Sequence, residues 1–305
     1  MGTNMSLSEE AISKLLKAGE IAKKVREEAA RIAEPGMKLF ELAEYVERRI
    51  RELGGEPAFP VNLSINEVAA HYTPVVDDNT IIPDNAVLKI DLGVHIDGYI
   101  ADTSVTVAFN PVYESLLEAS RMALEKALEI VGPGIRVNTI GKVIEETITS
   151  YGYKPIRNLS GHSIDRYLIH AGKSIPNYND LFTRWKLVEG VYAIEPFATN
   201  GVGLVREGPI ATIYSLTPRR RTHLTLYEKK LFDKIWSERR TLPFCERWYV
   251  GLFNSVEGLR NTLRMMQKHR VIYAYPVLIE RGGGLVSQFE HTFIIHGKDV
   301  IVTTK

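Results

Sequence analysis

One cysteine, Cys245, among 305 residues leaves the chain without an internal disulfide, and a reducing, cytoplasmic setting is expected. No apolar run approaches the ~18 residues of a membrane span, and the amino terminus lacks the apolar core of a signal peptide. No membrane partner is therefore expected. HExxH, GxSxG, Walker A and EF-hand patterns are all missing, which removes the matching metalloprotease, nucleophile-elbow, nucleotide and calcium chemistries. Gly201-Val202-Gly203 lacks the third glycine of a dinucleotide loop. With a single thiol, copper(I) and iron–sulfur sites are excluded as well. Cys245 has no His or Asp pattern around it and is expected to be a core thiol. The leading MGTN, ahead of Met5-Ser6, is given no structural role.

What is present starts with an uneven charge. The net charge is +1, yet residues 212–273 hold thirteen Arg or Lys against five Asp or Glu. That stretch reads as a basic helical insert, with helices expected over Tyr227–Arg239 and Val256–Arg270, because strand patterning stops before it and resumes after it. The insert is expected to sit within a single domain spanning 1–305. Helical spacing over residues 7–33 ends at Pro35-Gly36, and a second helix stops at Gly54-Gly55. The same events recur 98 residues later: Pro35/Pro133, Gly36/Gly134, Glu47/Glu145, Ile50/Ile148, Gly54/Gly152 and Pro57/Pro155 are identical across that offset. Most of these are helix-ending or turn residues, so the repeat is architectural and predicts two related halves about a pseudo-two-fold axis with a site between them. Asn62-Leu63-Ser64 also echoes Asn158-Leu159-Ser160. Both asparagines fit the glycosylation sequon and are read as turn residues.

The segment Val87–Val107 reads as two strands around an Asp97-Gly98 turn. A two-residue type I′ turn there pairs Ile96 with Tyr99, which places Asp91 opposite Ser104 and Asp102 opposite Gly93. Both aspartates then project from one face, diagonal neighbours ~7–8 Å apart at the backbone. On a sheet face expected to be otherwise Ile, Leu and Val, two such acids repel and resist ionisation without a cation. His162 in LSGHSI, Glu195 in YAIEPF and Glu290 in SQFEHT are the best further ligand candidates. Glu195 and Glu290 each interrupt an apolar strand, where an unpaired carboxylate is costly. For any one of them alone, a salt bridge or a satisfied core histidine explains the residue equally well. Together, four carboxylates and one imidazole suit two divalent ions such as Mn, Fe, Co or Zn.

With AAHYTP around His71, GHSIDRYLIHAG around His162 and His170, AIEPF and QFEHT, the chain resembles the methionine aminopeptidases over nearly its whole length. The helical insert resembles the type 2 branch, and the short amino-terminal region its archaeal members. The resemblance implies an α/β (α+β) "pita-bread" fold of pseudo-symmetric halves, whose symmetry matches the repeat. It implies a dinuclear metallohydrolase that removes the initiator methionine from nascent polypeptides with a small second residue. Asp91 would hold one ion, Asp102 and Glu290 both, and His162 and Glu195 the other. Glu195 would also carry a proton to the leaving amine, His170 would stabilise the oxyanion, and His71 would hydrogen-bond the scissile amide. The methionine pocket would include Phe59, Ile169, His170 and Phe197. Ile213 stands where eukaryotic type 2 members carry a pocket-rim histidine, which puts that rim contact in doubt. A monomer is implied, and the basic insert keeps ribosome association open. Prolidase and aminopeptidase P share the fold and ligand set, but they usually have a further amino-terminal domain and lack the insert.

Overall fold

The computed structural model describes residues 7–217 and 224–305. The expectations for MGTN and for Arg219, Arg220 and Arg221 of the basic stretch lie outside the described residues. Helix α1 (Glu9–Ile32) is opened by Ser8, whose hydroxyl accepts the Ala11 N–H at 3.2 Å, with Glu9 and Glu10 in the first turn. Both features satisfy the bare N–H groups and the dipole of a helix start. Its stripe of Leu15, Ala18, Ala22, Val25 and Ala29 is buried. Helix α2 (Leu39–Glu52) follows Gly36, at φ 85°, a left-handed value that glycine adopts without steric cost.

The internal repeat is present in the backbone. Helices α3 (Glu114–Ile130) and α4 (Val137–Ser150) end 98 residues after α1 and α2, and α4 also begins 98 after α2. Gly134 repeats the φ of Gly36 at 85°, and Gly54 and Gly152 share 84°. The tethers repeat too: Gly36 N–H donates to Ile82 O and Gly134 N–H to Leu187 O, both at 2.8 Å.

The helices cover one side of a nine-stranded sheet whose main path runs Glu56–Pro57, Val87–Ile96, Tyr99–Ala108, Glu290–His296, Gly190–Ile194, Ser160–Ile164, Ser174–Pro176. Asn62–Ile65 and Asp299–Val302 pair with Val87–Ile96 and Glu290–His296 respectively. Helices α1 and α2 pack on Leu88, Ile90, Leu92 and Val94. Helices α3 and α4 pack on Tyr192, Ile194, Phe293 and Ile295. The hairpin register is the expected one, from Val87↔Ala108 to Ile96↔Tyr99, with Asp97 at φ 51° and Gly98 at φ 85° as a type I′ turn requires. One expectation is corrected. The face carrying the aspartates is not aliphatic: Lys89, His95, Ser104 and Thr106 share its parity and are buried. Apart from Val87 and Ile100, the Ile, Leu and Val residues of the hairpin lie on the opposite, helix-covered face.

Val205–Leu216 and Ile272–Glu280 form the central ribbon of a four-stranded sheet, edged by Phe244–Cys245 and Val68–Ala70, that leads out to the basic insert and back. Thr212–Leu216 therefore continues a strand. Beyond it, α5 (Leu226–Arg239), opened by a Thr225/Glu228 capping box, and α6 (Val256–Lys268) enclose Leu231, Ile235, Phe244, Leu259 and Met266. Cys245 is buried there, and burial pushes its thiol up to about 12. A buried ion pair ties this unit to the first half: Arg247 Nη2 donates to Glu47 Oε1 at 2.7 Å and Nη1 to Glu47 Oε2 at 2.8 Å. Trp248 Nε1 donates to the same carboxylate at 2.6 Å. Among the described residues no helix is long and apolar enough to cross a membrane.

Glu47 and its repeat mate Glu145 allow an internal comparison. The side chain of Glu47 is 2% exposed and that of Glu145 25%, the latter bound by Arg157 at 2.7 Å. Glu47→Ala strands a buried guanidinium and an indole N–H, and should cost about 3–5 kcal/mol. Glu145→Ala should cost about 1 kcal/mol or less. Urea unfolding of both variants checks this; equal losses would contradict the assignment. A second expectation concerns acid. Burial, and then Arg239, push His95 down to about 3, and its Nδ1 accepts the Gly98 N–H at 3.1 Å. Its stabilising contribution is thus full above the unfolded value of about 6.5 and is lost as pH falls toward the folded one. In His95→Asn, the stability drop between pH 7 and pH 5 should shrink by about 2 kcal/mol.

Candidate metal centre and active site

Two neighbouring rows across the sheet assemble the candidate ligands. In the first, Asn62 pairs with Asp91, Asp91 with Ser104 and Ser104 with Glu290. Glu195 lies one residue beyond the last pair of the next strand, His291↔Ile194, which brings it beside Glu290. In the second row, Gly93 pairs with Asp102, and Thr292 with Ala193, which pairs with His162. Thr292 closes that row by accepting the Asp102 N–H and donating to the Asp102 carbonyl, both at 2.8 Å. Two strand residues separate the rows, about 7 Å, so side chains from both meet over the space between them. Asp102, His162 and Glu290 offer ligand atoms within 4.8 Å of one another. His162 Nε2 lies 3.6 Å from Asp102 Oδ2 and 3.7 Å from Glu195 Oε1.

Burial raises the pKa of all four acids. It takes Asp91 to about 7. Asp102, Glu195 and Glu290 rise well above their ordinary values, first through burial and then through the neighbouring carboxylates. Burial, and then His170, hold His162 well below its ordinary value, a neutral imidazole. Asp91 Oδ1, Asp102 Oδ1, Glu290 Oε1 and His162 Nδ1 are buried without a hydrogen-bond partner. Orphaned carboxylate oxygens converging with a neutral imidazole are what a divalent ion takes as donors. The residues present fit a metal.

These groups floor a cavity of about 380 Å³ that every other candidate also lines: Phe59, His71, Ile169, His170 and Phe197. Phe59 fits because position 93 is glycine; a Cβ there would stand 2.4 Å from its ring. The His170 ring meets His162 edge-on at 4.4 Å. His71 sits at φ 65°, its N–H donating to Asn62 Oδ1 at 2.7 Å. Its Nδ1 lies 3.3 Å from the Pro276 carbonyl, an acceptor, so Nδ1 carries the proton and Nε2 is left with its lone pair. Burial, then His170, lower its pKa to about 4, so it is neutral at pH 7. Ile213 is buried on the cavity wall, paired in register with Tyr275, which also lines the cavity.

Three contributors escaped the sequence reading. Gln288 is buried, and its amide lies 3.3 Å from Glu195 Oε2 and 3.4 Å from Glu290 Oε2. Its signal was available, a buried-parity amide two residues before Glu290. Thr292, two residues after Glu290, carried the same signal. Asn62 is a strand residue that orients His71, which corrects its reading as a turn asparagine. Asn158 does bind across a bend, exchanging hydrogen bonds with Val205 at 2.8 and 2.9 Å.

Residues 13–221 match the model of metallopeptidase family M24. The chain is 51% identical over 296 residues to the methionine aminopeptidase of Pyrococcus horikoshii, covering 96% of this chain and 99% of that protein. Its fold matches a solved thermophilic Arx1 with a TM-score of 0.85 at 18% identity, over 98% of this chain and 91% of that one. It also matches the methionine aminopeptidase of Thermotoga maritima with a TM-score of 0.71 at 22% identity, over 98% of each chain. The two solved structures speak for the shared pita-bread fold alone. The chain belongs to metallopeptidase family M24, among the archaeal methionine aminopeptidases.

Proposed function

We propose that this protein hydrolyses the initiator methionine from nascent polypeptides with a small second residue, using two divalent ions held by Asp91, Asp102, His162, Glu195 and Glu290. The observation that carries the reading is the meeting of these five side chains, with orphaned oxygens, at the floor of a cavity walled by Phe59, Ile169 and Phe197. Asp91 would serve one ion, His162 and Glu195 the other, and Asp102 and Glu290 would serve both. Co, Mn, Fe or Zn held there would supply Lewis acidity toward the scissile carbonyl and lower the pKa of the attacking water. Glu195 then accepts the water's proton and passes it to the leaving amine. His170 donates to the developing oxyanion. His71, neutral and with Nε2 free, accepts from the scissile N–H. The apolar walls receive the thioether, a soft group that packs well against aromatic rings.

A monomer in the cytoplasm suffices, since one chain contributes every site residue. Lys229, Lys230, Lys234 and Lys268 of the insert face solvent and offer the ribosome a cationic surface.

Asp102→Ala and Glu290→Ala should each abolish hydrolysis of a Met-Ala-Ser peptide while far-UV circular dichroism is unchanged. Metal content after dialysis should fall below that of the wild type. Full turnover by either variant at saturating metal would refute the ligand assignment. Chelator should silence the wild type, and readdition of single metals should restore it. With the loaded enzyme, Met-Ala-Ser should be cleaved at least ~10-fold faster than Met-Leu-Ser, within the range a few methylenes can impose. Equal kcat/KM values would contradict the small-second-residue preference.

A further inference from the structure

The segment that follows His71 is held by the insert. Thr73 N–H donates to Thr212 Oγ1 on the ribbon at 3.2 Å. Arg247 donates from Nε to the Pro74 carbonyl at 2.8 Å and from Nη2 to Thr73 Oγ1 at 3.1 Å. Val76 is gripped at both ends: its N–H donates to Glu246 Oε1 at 2.9 Å, and its carbonyl accepts from Arg260 Nη2 at 3.1 Å. Arg260 in turn binds Glu246 through Nε at 2.8 Å and Nη2 at 2.6 Å. The side chains of Arg247 and Glu246 are 2% and 5% exposed, so these bonds operate where water competes little.

His71 needs such support. A non-glycine residue at φ 65° is in a sparsely populated conformation that persists only where its surroundings over-determine it. Asn62 holds its N–H from the body of the fold. On its carboxyl side the body of the fold holds Tyr72, whose carbonyl accepts the Leu63 N–H at 2.8 Å, and the bonds to Thr73, Pro74 and Val76 fix the stretch beyond it from the insert.

We propose that Glu246, Arg247 and Arg260 are positioning residues for His71, so that the insert sets the place of its imidazole through the Thr73–Val76 segment. The proposal rests on the reading of His71 as the acceptor for the scissile N–H. Its consequence is a site whose reaction geometry depends on side chains of the insert that touch neither metal ligand nor substrate.

Arg260 is the residue to vary, because it is one-third exposed and its loss spares the buried Glu47–Arg247 pair. In the metal-loaded full chain, Arg260→Ala should lower kcat on Met-Ala-Ser by about 10- to 100-fold, the scale of a misplaced reacting group. KM should change about twofold or less, because His71 serves the scissile bond rather than the methionine side chain. Metal content should be that of the wild type. The His71 ring resonances in ¹⁵N-histidine-labelled protein, assigned by their absence in His71→Asn, should shift or broaden. Arg260→Lys, which retains a cation for Glu246, should recover part of kcat and of the spectrum. Arg264→Ala, on the exposed side of the same helix, should leave both unchanged. Unmoved His71 resonances in Arg260→Ala would overturn the proposal, as would equal losses in Arg264→Ala. A wild type without turnover on Met-Ala-Ser would defeat the functional reading instead, and the resonances would still decide whether the insert positions His71.

Discussion

Four carboxylates share one buried space, and the surrounding structure is arranged to tolerate that. Burial and mutual repulsion both favour their protonated forms, so holding them ionised requires positive charge from somewhere. The described residues supply none of their own. Among the described residues no Lys or Arg forms an ion pair with Asp91, Asp102, Glu195 or Glu290. Lys89 is the telling case. It is fully buried on the same hairpin face, two residues before Asp91, yet its Nζ donates to the Asn66 carbonyl at 2.7 Å. A lysine swung onto the aspartates would satisfy them and remove their affinity for an ion. Keeping it on a carbonyl leaves the negative charge available.

The repeat explains how five candidate donors from distant parts of the chain come to line one cavity. Each half contributes a helical pair to the outside and strands to the sheet. Asp91 and Asp102 come from the first half's hairpin, and His162 and Glu195 from the second half. The Glu290 strand lies between the two in the sheet, pairing with Tyr99–Ala108 on one side and Gly190–Ile194 on the other. Strand pairing therefore fixes the spacing of the candidate donors. Thr292, Thr103 and Thr106 reinforce that seam: Thr103 donates to the Glu290 carbonyl at 2.8 Å, and Thr106 to the Gln288 carbonyl at 2.6 Å. Rigid elements with locked neighbours are what a preorganised site needs.

Legibility in the sequence followed the range of the physics. The hairpin register was readable because Asp-Gly turn chemistry is local and a side-chain period of two has no freedom once the turn is set. The repeat was readable because Gly and Pro mark helix ends wherever they occur. The polarity of the aspartate face was misjudged although the same register implied it: Lys89, Ser104 and Thr106 carry the parity of the acids, and the apolar residues between them belong to the other face. The parity of Gln288 was legible but not its role, and Asn62 read as a turn residue, because the pattern does not reveal the partners of an uncharged amide. The Glu47–Arg247 pair joins residues 200 positions apart, and no local pattern encodes such a contact.

That pair also changes the meaning of the basic insert. Read as composition, its excess of positive charge suggests a surface for an anionic partner. In the fold, part of that charge is turned inward: Arg239 is buried with its guanidinium 4.2 Å from the Trp248 ring and also donates to the Pro57 carbonyl, Arg247 is on Glu47, and Arg260 is on Glu246. Glu47 and Glu145 occupy equivalent places in the two halves, yet only Glu47 is covered, because the insert packs on the first half. The symmetry of the scaffold is broken on the side that carries His71, while strands from both halves deliver the candidate metal donors. A pseudo-symmetric frame holds ions well, but a peptide with one scissile bond has a direction. Reading that direction requires groups present on one side only, and the insert is the part of this chain that makes the two sides different.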